Sequence, residues 1–299
     1  MSTVIALGGN ALMRPGERGT AAQQLDNLRR AVAALRPLLD EPGLVLTHGN
    51  GPQGGNELLR QERAANEAPQ LPLWLAVAQT QAEIGALIVA QVRAVTEREV
   101  ACVLTHVRVG EDDPAFGRPT KPIGPFYAAD QAEDLQRDRG WAMVSDANRG
   151  HRRVVPSPEP LEVVELDAIR ALTGSGSLVI ACGGGGIPVV RTDGTLAGAD
   201  AVIDKDRASA LLARSLGSDL LLILTEVPAV YADFGAPDQR ELRELTRGDA
   251  GKLLPGLAEG SMRPKIEAAL SFSGETLITN FDALGDALAG RAGTRIGVE

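Results

Sequence analysis

Lys265, near the C-terminal end of the chain, has the surroundings of a phosphate-binding residue. It stands at the start of a predicted helix, in a segment that also contains Gly260, Met262 and Pro264. A lysine at such a position can hold a phosphate group as a compact positive charge. Three glycine-rich turns lie upstream, at 8–10, 48–51 and 183–186. Together these features indicate a site that handles several phosphoryl groups at once, as a small-molecule kinase does.

Each glycine-rich turn follows a predicted strand. Without a Cβ atom, the backbone N–H groups of such a turn can approach a phosphate closely. Taken alone, each turn is equally consistent with a tight turn that needs positive φ angles. The residues predicted to contact phosphate or substrate are Gly8, Gly9, Asn10, Gly49, Asn50, Gly51, Gly183 and Gly184.

The second turn leads directly into a predicted helix. Pro52 is suited to the first position of that helix, and a helix N-terminus favours an anion. This turn is therefore expected to hold the transferred phosphoryl group or its acceptor. His48, which opens the turn, is either a turn residue or a catalytic base, and the sequence leaves both interpretations open.

A charged triplet, Asp204, Lys205 and Asp206, precedes a helix predicted over 208–216. Either aspartate can cap that helix, which would be a structural role. Lys205 is harder to explain in this way, because a cation at a helix N-terminus is unfavourable unless an anion lies nearby. A bound phosphate is one such anion. Lys121, in a proline-rich stretch, is a further candidate for contact with a substrate phosphate, and the alternative is an exposed lysine without function.

An apolar turn follows the strand predicted over 220–225. Its residues suit a slot for a flat adenine ring, although plain packing explains them as well. The candidate nucleotide-binding residues in this turn are Thr225, Val227, Val230 and Tyr231.

Composition and motifs exclude several other classes of protein. A formal net charge of -9 leaves no surplus of basic residues for nucleic-acid binding. Cys102 and Cys182 have neither disulfide-framework nor zinc-ligand spacing, and no carboxylate cluster predicts a metal site held by the protein. The glycine-rich turns match neither the dinucleotide-binding fingerprint nor the P-loop. No signal peptide or membrane-spanning run is evident, so a cytoplasmic protein without membrane contact is expected.

The elements that would position these residues alternate between strands and helices, as in parallel βαβ units. Strands are predicted at 4–7, 44–47, 100–107, 178–182, 220–225 and 276–279, with helical patterns between them. Right-handed crossovers would bring the turns after the strands to one sheet edge, where ligands of such folds bind. The segment 108–160 breaks this alternation, because it holds seven of the 18 prolines. It is interpreted as an insertion, and the alternative is a surface loop without function.

These pieces, in this order, resemble the amino acid kinase family and, within it, the carbamate kinases. The resemblance covers essentially the whole chain, and its most specific stretches are 6–11, 48–53, 119–125, 154–158, 182–189, 202–206 and 260–269. It implies an α/β fold, a three-layer αβα sandwich around a mainly parallel sheet, with 1–299 as one domain. It also implies that 108–160 is a small protruding subdomain over the substrate site and that the protein is a homodimer.

The same resemblance implies reversible phosphoryl transfer between ATP and carbamate, with Mg²⁺ carried by the nucleotide. Lys205 and Lys265 would be paired cations on the transferring group, Asp206 would orient them, and Lys121 would add a third cation. Met262 and Lys265 would also contact the nucleotide. The alternatives are a kinase of this fold for another small acid or phosphonate, and a nucleotide-binding protein without turnover. The chain departs from the usual family pattern at Gly54, His106, His151 and Pro228.

Overall fold

The computed structural model describes residues 2–14, 16–146, 150–257 and 262–297, without the side chains of Asn10, Pro125 and Asp146. Gly260, in the predicted phosphate-binding segment, lies outside these ranges. The described residues form these strands: β1 (Thr3–Leu7), β2 (Leu44–His48), β3 (Val100–Cys102), β4 (His106–Val109), β5 (Lys121–Tyr127), β6 (Ala142–Asp146), β7 (Gly150–Val155), β8 (Pro160–Val163), β9 (Leu178–Ile180), β10 (Ile187–Thr192), β11 (Thr195–Gly198), β12 (Leu220–Leu224), β13 (Val230–Ala232), β14 (Arg240–Leu242), β15 (Glu244–Leu245), β16 (Glu275–Thr279) and β17 (Thr294–Ile296). They also form these α-helices: α1 (Ala21–Leu35), α2 (Gly51–Arg63), α3 (Leu73–Arg93), α4 (Ala129–Arg139), α5 (Leu166–Gly174), α6 (Lys205–Leu216), α7 (Arg247–Leu253), α8 (Arg263–Ser271) and α9 (Leu284–Leu288).

An eight-stranded sheet forms the centre of the molecule. Its order is β15, β17, β16, β12, β1, β2, β9, β3, and every neighbouring pair is parallel except β16 with β17. Alternate residues of β1 belong to two different cores, because successive side chains of a strand point to opposite faces. Ile5 and Leu7 pack with α1 and α3, whereas Val4 and Ala6 pack with α6 and α8. The predicted α/β fold, with helices on both faces of a mainly parallel sheet, is confirmed.

Side-chain caps determine where helices α1 and α6 begin. Thr20 caps α1 with a reciprocal capping box, in which its side chain accepts from the backbone N–H of Gln23. Helix α6 begins at Lys205 rather than at the predicted Ala208, because Asp204 accepts the free N–H groups of the first turn. Lys205 and Asp206 consequently belong to that turn instead of preceding it.

The strand predicted over 100–107 is wrong, since the structure has two strands there in different sheets. β3 pairs with β9 in the large sheet, whereas β4 pairs with β8 and β10 in a four-stranded sheet. The chain leaves the large sheet at Thr105, whose N–H donates to the buried Gln81 side chain at 2.6 Å and whose hydroxyl donates to the Val103 carbonyl at 2.7 Å. The alternation of apolar and polar residues in the sequence cannot reveal the hydrogen bonds of Thr105 that end the strand.

The segment between β4 and β8 contains its own small sheet, in the order β5, β7, β6, together with α4. Ile123 and Val155 of this sheet pack on Leu73 of α3. Tyr127, at the end of β5, donates from its hydroxyl to the carboxylate of Glu62 on α2 at 3.1 Å. The small sheet therefore lies against the helices that border the cavity described below.

Helix α3 is the one described helix long and apolar enough to span a membrane. Its residues Ile84, Ile88 and Val92 are fully buried against the central sheet and α1. The apolar character of α3 is therefore accounted for by its place in the protein core.

Candidate active site

A cavity of about 260 Å³ lies at the carboxyl ends of β1 and β2. The N-terminal residues of α2, α6 and α8 all line it. Because each helix N-terminus carries a partial positive charge, three of them at one cavity favour a strongly anionic ligand. The predicted site residues along this cavity are Gly9, Gly49, Asn50, Gly51, Lys121, Gly184, Lys205, Asp206 and Lys265.

Asp206 holds two of the predicted lysines. Its Oδ1 atom lies 2.5 Å from Nζ of Lys205, and its Oδ2 atom lies 3.1 Å from Nζ of Lys265. The Asp206 side chain is 4% exposed, and those of Lys205 and Lys265 are 17% and 12% exposed. The carboxylate therefore sets the spacing of two ammonium groups that are largely withdrawn from water.

The charges at this cluster are shifted by burial and by one another. Burial alone would raise the pKa of Asp206, but the ammonium groups of Lys205 and Lys265 outweigh it and hold that pKa well below its usual range. Burial lowers the pKa of Lys205, against the opposing pull of Asp206. Asp206 is thus an acceptor that stays ionised at neutral pH, suited to orienting cations and unsuited to donating a proton.

Lys121 is also placed at this cavity, bonded to a residue that the sequence offered only as a possible helix cap. Nζ of Lys121 lies 2.6 Å from Oδ2 of Asp204. Asp204 and Lys121 are 83 positions apart, and no local pattern in the sequence indicates their contact. The chain has only four lysines, and three of them line this one cavity.

The glycines of the three turns have different surroundings. Gly9 and Gly51 face open space in the cavity, whereas a Cβ on Gly49 would come within 3.1 Å of the Lys205 side chain. Gly184 has a φ of 66°, and a Cβ there would lie 2.5 Å from the amide of Asn50. Both features exclude a side chain at Gly184.

Not every predicted phosphate contact lines the cavity. Gly8 lies where a Cβ would meet the carbonyl of Leu224 at 2.4 Å, and Gly183 lies where a Cβ would meet the ring of His48 at 2.3 Å. Both are explained by close packing between turns, and neither is among the residues that line the cavity. The side chain of Asn10 lies outside the described part of the chain.

His48 is fully buried beneath the second turn. Its Nδ1 atom lies 3.0 Å from the Gly49 carbonyl, and burial lowers the pKa of His48 to about 4. The ring is therefore neutral at physiological pH. Of the two interpretations left open by the sequence, the geometry favours the turn residue, since His48 does not line the cavity.

A second cavity, of about 590 Å³, lies beyond the end of β12. Val227, Tyr231 and Met262, three of the predicted nucleotide contacts, line it. Val230 does not, because it is fully buried with its N–H bonded to the Thr294 hydroxyl at 2.8 Å. Thr225 is also absent from the lining, and Lys265 lines the first cavity instead.

Sequence reasoning missed Phe234 in this second cavity. Its side chain is 69% exposed, and its ring centroid lies 5.9 Å from that of Tyr231. The sequence does contain a signal for it, because Phe234 is a second aromatic residue only three positions after Tyr231, in the loop that follows β13. The two rings provide the flat apolar surface on which a nucleotide base can stack.

Of the four departures from the family pattern, one lines a cavity and three do not. Gly54 lines the first cavity. His106 opens β4 and bonds through Nδ1 to Glu165 at 2.8 Å. His151 lies on β7, and the Pro228 carbonyl accepts from the Thr279 hydroxyl at 3.1 Å. None of these four residues replaces a lysine or aspartate of the cluster.

Comparison with known proteins identifies the family of this chain. Residues 1–278 match the Amino acid kinase family. The chain is 46% identical to a carbamate kinase of Halobacterium salinarum, covering 98% of this chain and 97% of that protein. It is 44% identical to carbamate kinase 2 of Staphylococcus epidermidis, with 98% of both chains covered.

Solved structures give the same result. A carbamate kinase from Giardia lamblia bound to AMP-PNP superposes with a TM-score of 0.91 at 39% identity, covering 99% of this chain and 98% of that one. An isopentenyl phosphate kinase of T. acidophilum, at 14% identity and a TM-score of 0.56, shares the fold alone. The chain belongs to the amino acid kinase family and, within it, to the carbamate kinases.

Proposed function

We propose that the protein transfers a phosphoryl group reversibly between ATP and carbamate, so that carbamoyl phosphate and ADP give ATP and carbamate. The observation that carries this proposal is the cluster of Lys121, Lys205 and Lys265 at a cavity bordered by three helix N-termini. The relatives named above are carbamate kinases, and one of them binds an ATP analogue.

The geometry suits a transfer that needs charge neutralisation more than a covalent nucleophile. The transferring phosphoryl group spreads negative charge over its oxygens, and fixed cations stabilise that charge best in a site with little water. Lys205 and Lys265 supply two such cations, with Asp206 setting their spacing. Gly9 and Gly51 have open space where a Cβ would stand, so the same oxygens can approach the backbone there.

The nucleotide base would occupy the second cavity, which Tyr231, Phe234 and Met262 line. Mg²⁺ would arrive with the nucleotide and neutralise its phosphates. The carboxylates at the first cavity do not form a cage for it. Both oxygens of Asp206 bond to lysines, and those of Asp204 bond to Lys121 and to backbone N–H groups. The oxygens of the nucleotide phosphates, instead of protein side chains, would therefore coordinate the metal.

Three further assignments belong to the same proposal. The segment 108–160 acts as a subdomain over the acceptor, since β5 brings Lys121 to the cavity. The protein is a homodimer in the cytoplasm. The resemblance to the carbamate kinases carries the dimer, and Leu161, which is exposed on the edge strand β8, is an apolar side chain that a subunit contact would cover. Light scattering of wild type and Leu161→Asp tests this contact, and a wild-type monomer would contradict it.

The test of the activity is a substrate profile. ATP formation from MgADP is measured with carbamoyl phosphate, acetyl phosphate and a phosphorylated phosphonate, whose P–O–P anhydride can donate a phosphoryl group, at equal concentrations. We expect the highest kcat/KM with carbamoyl phosphate. A higher kcat/KM with another donor would indicate a different acceptor. MgADP binding without turnover of any donor would indicate a nucleotide-binding protein of this fold.

A further inference from the structure

The carboxylate of Asp204 joins two parts of the chain that are distant in sequence. Its Oδ1 atom accepts from the backbone N–H groups of Asp206 at 2.9 Å and Arg207 at 3.4 Å, in the first turn of α6. Its Oδ2 atom accepts from Nζ of Lys121, on β5, at 2.6 Å. The side chain is 10% exposed and lines the first cavity.

We propose that Asp204 is a positioning residue for phosphoryl transfer, which fixes the ammonium of Lys121 relative to the cluster of Lys205 and Asp206. This inference rests on the proposed function. Asp204 acts through Lys121 and through the start of α6, and it makes no contact with the transferred group itself.

Helix capping alone does not account for a carboxylate at this position. Serine, threonine and asparagine cap helices about as well as aspartate does. A carboxylate lining a cavity that takes phosphate also repels the ligand, and a neutral cap would avoid that repulsion. Capping therefore explains why Oδ1 is needed, whereas Oδ2 takes no part in the cap and is accounted for by its contact with Lys121.

The charge on Asp204 is matched by Lys121. Burial alone would raise the pKa of Asp204, but the ammonium groups of Lys121 and, to a smaller extent, Lys205 together outweigh it and the pKa is lowered. Asp204 is therefore ionised at neutral pH, and it is available to hold Lys121 before any substrate binds.

Among the three lysines of the cavity, Lys121 has the most need of such a partner. Its side chain is 34% exposed, compared with 17% for Lys205 and 12% for Lys265. A lysine has a long flexible stem, and ordering it during the reaction would cost rotamer entropy. Asp204 orders it beforehand, and an ammonium bonded through one N–H keeps two donors for a phosphoryl oxygen.

The test separates capping from positioning with Asp204→Asn and Asp204→Ser. Both variants keep a side-chain oxygen for the N–H groups of α6, so the fold is expected to persist, and both lose the charge that holds Lys121. We expect kcat to fall by about 10-fold to 100-fold in both, as misplacement of a charged group does. KM for carbamoyl phosphate should stay the same or fall, because a repelling carboxylate is removed. A rise in KM with unchanged kcat would overturn the proposal.

A double-mutant cycle with Lys121→Met gives the decisive comparison. If Asp204 acts through Lys121, then Asp204→Asn should lower kcat by less than about twofold in the Lys121→Met background. If the loss of kcat in the double variant equals the product of the losses in the two single variants, the residues act independently and the proposal is wrong. The same cycle is measured on the urea midpoint of the ligand-free protein, where coupling is again expected and its absence would contradict the ion pair. Since that measurement needs no turnover, it separates failure of this inference from failure of the proposed function, which would appear as an inactive wild type.

Discussion

Asp206→Asn replaces the carboxylate shared by two buried ammonium groups with an amide of the same shape. Lys205 and Lys265 would then lie close together without the negative charge that now stands between them. Breaking a buried ion pair by neutralising one partner costs about 3–5 kcal/mol, because the remaining charge stays withdrawn from water. We expect the free energy of unfolding at pH 7 to fall by about that amount.

The pH dependence follows from Lys205. Burial already lowers the pKa of Lys205 in the wild type, and losing Asp206 removes an interaction that raises it. As pH rises from 7 towards 10, folded Asp206→Asn releases a proton from Lys205 while the unfolded chain retains it. Stability rises with pH wherever the unfolded state binds more protons, so the deficit of the variant should shrink over this range.

The assay is urea unfolding of ligand-free protein, with Asp26→Asn as matched control. Asp26 pairs with Arg29 at 2.5 Å on the surface of α1, and the two side chains are 59% and 67% exposed. Asp26→Asn should lower the free energy of unfolding by less than about 1 kcal/mol, since exposed ion pairs contribute little to stability. If Asp206→Asn destabilises no more than the control, or its deficit is constant with pH, the charge argument is wrong.

Three other predictions concern packing, the nucleotide and acid. Gly184→Ala should abolish activity, because its Cβ would meet Asn50, whereas Gly194→Ala, with a φ of 78° and open space around it, should keep kcat/KM within about twofold and cost about 1–2 kcal/mol of unfolding free energy. Loss of activity in both variants would refute this distinction. Phe234→Ala should raise KM for ADP about tenfold with kcat nearly unchanged, as removal of one stacking surface does, and an unchanged KM would place the base elsewhere. Wild-type stability should fall with pH below about 4, because the pKa of Asp206 is lowered and its stabilisation is lost as it protonates. In urea unfolding, the free energy of unfolding of Asp206→Asn should fall less steeply with decreasing pH than that of wild type. Equal slopes for the two proteins would contradict this assignment.

The sequence predicted what depends on local pattern. Continuous apolar runs such as Leu220–Leu224 identify buried parallel strands, and topology then brings the turns after β1 and β2 to one edge. The same pattern predicted a helix just after Lys205 and Asp206, and the structure extends that helix to include both residues in its first turn.

What the sequence could not predict depends on contacts between distant residues. The bond between Lys121 and Asp204 forms only after β5 has folded against the helices, so Asp204 looked like a simple cap. The break between β3 and β4 depends on Gln81, which lies on α3. Four glycines in a row indicated close approach, but only the fold shows that Gly183 packs on His48 while Gly184 faces the cavity.

The central claim is that lysines held by Asp206 stabilise the transferring phosphoryl group. It is tested most directly by the rate of ATP formation from carbamoyl phosphate and MgADP in wild type and Lys265→Ala, with MgADP binding measured in both. We predict that kcat falls at least about 100-fold in the variant, as loss of a transition-state donor does, while MgADP still binds. Turnover within about tenfold of wild type, with carbamoyl phosphate as the substrate, would contradict the account.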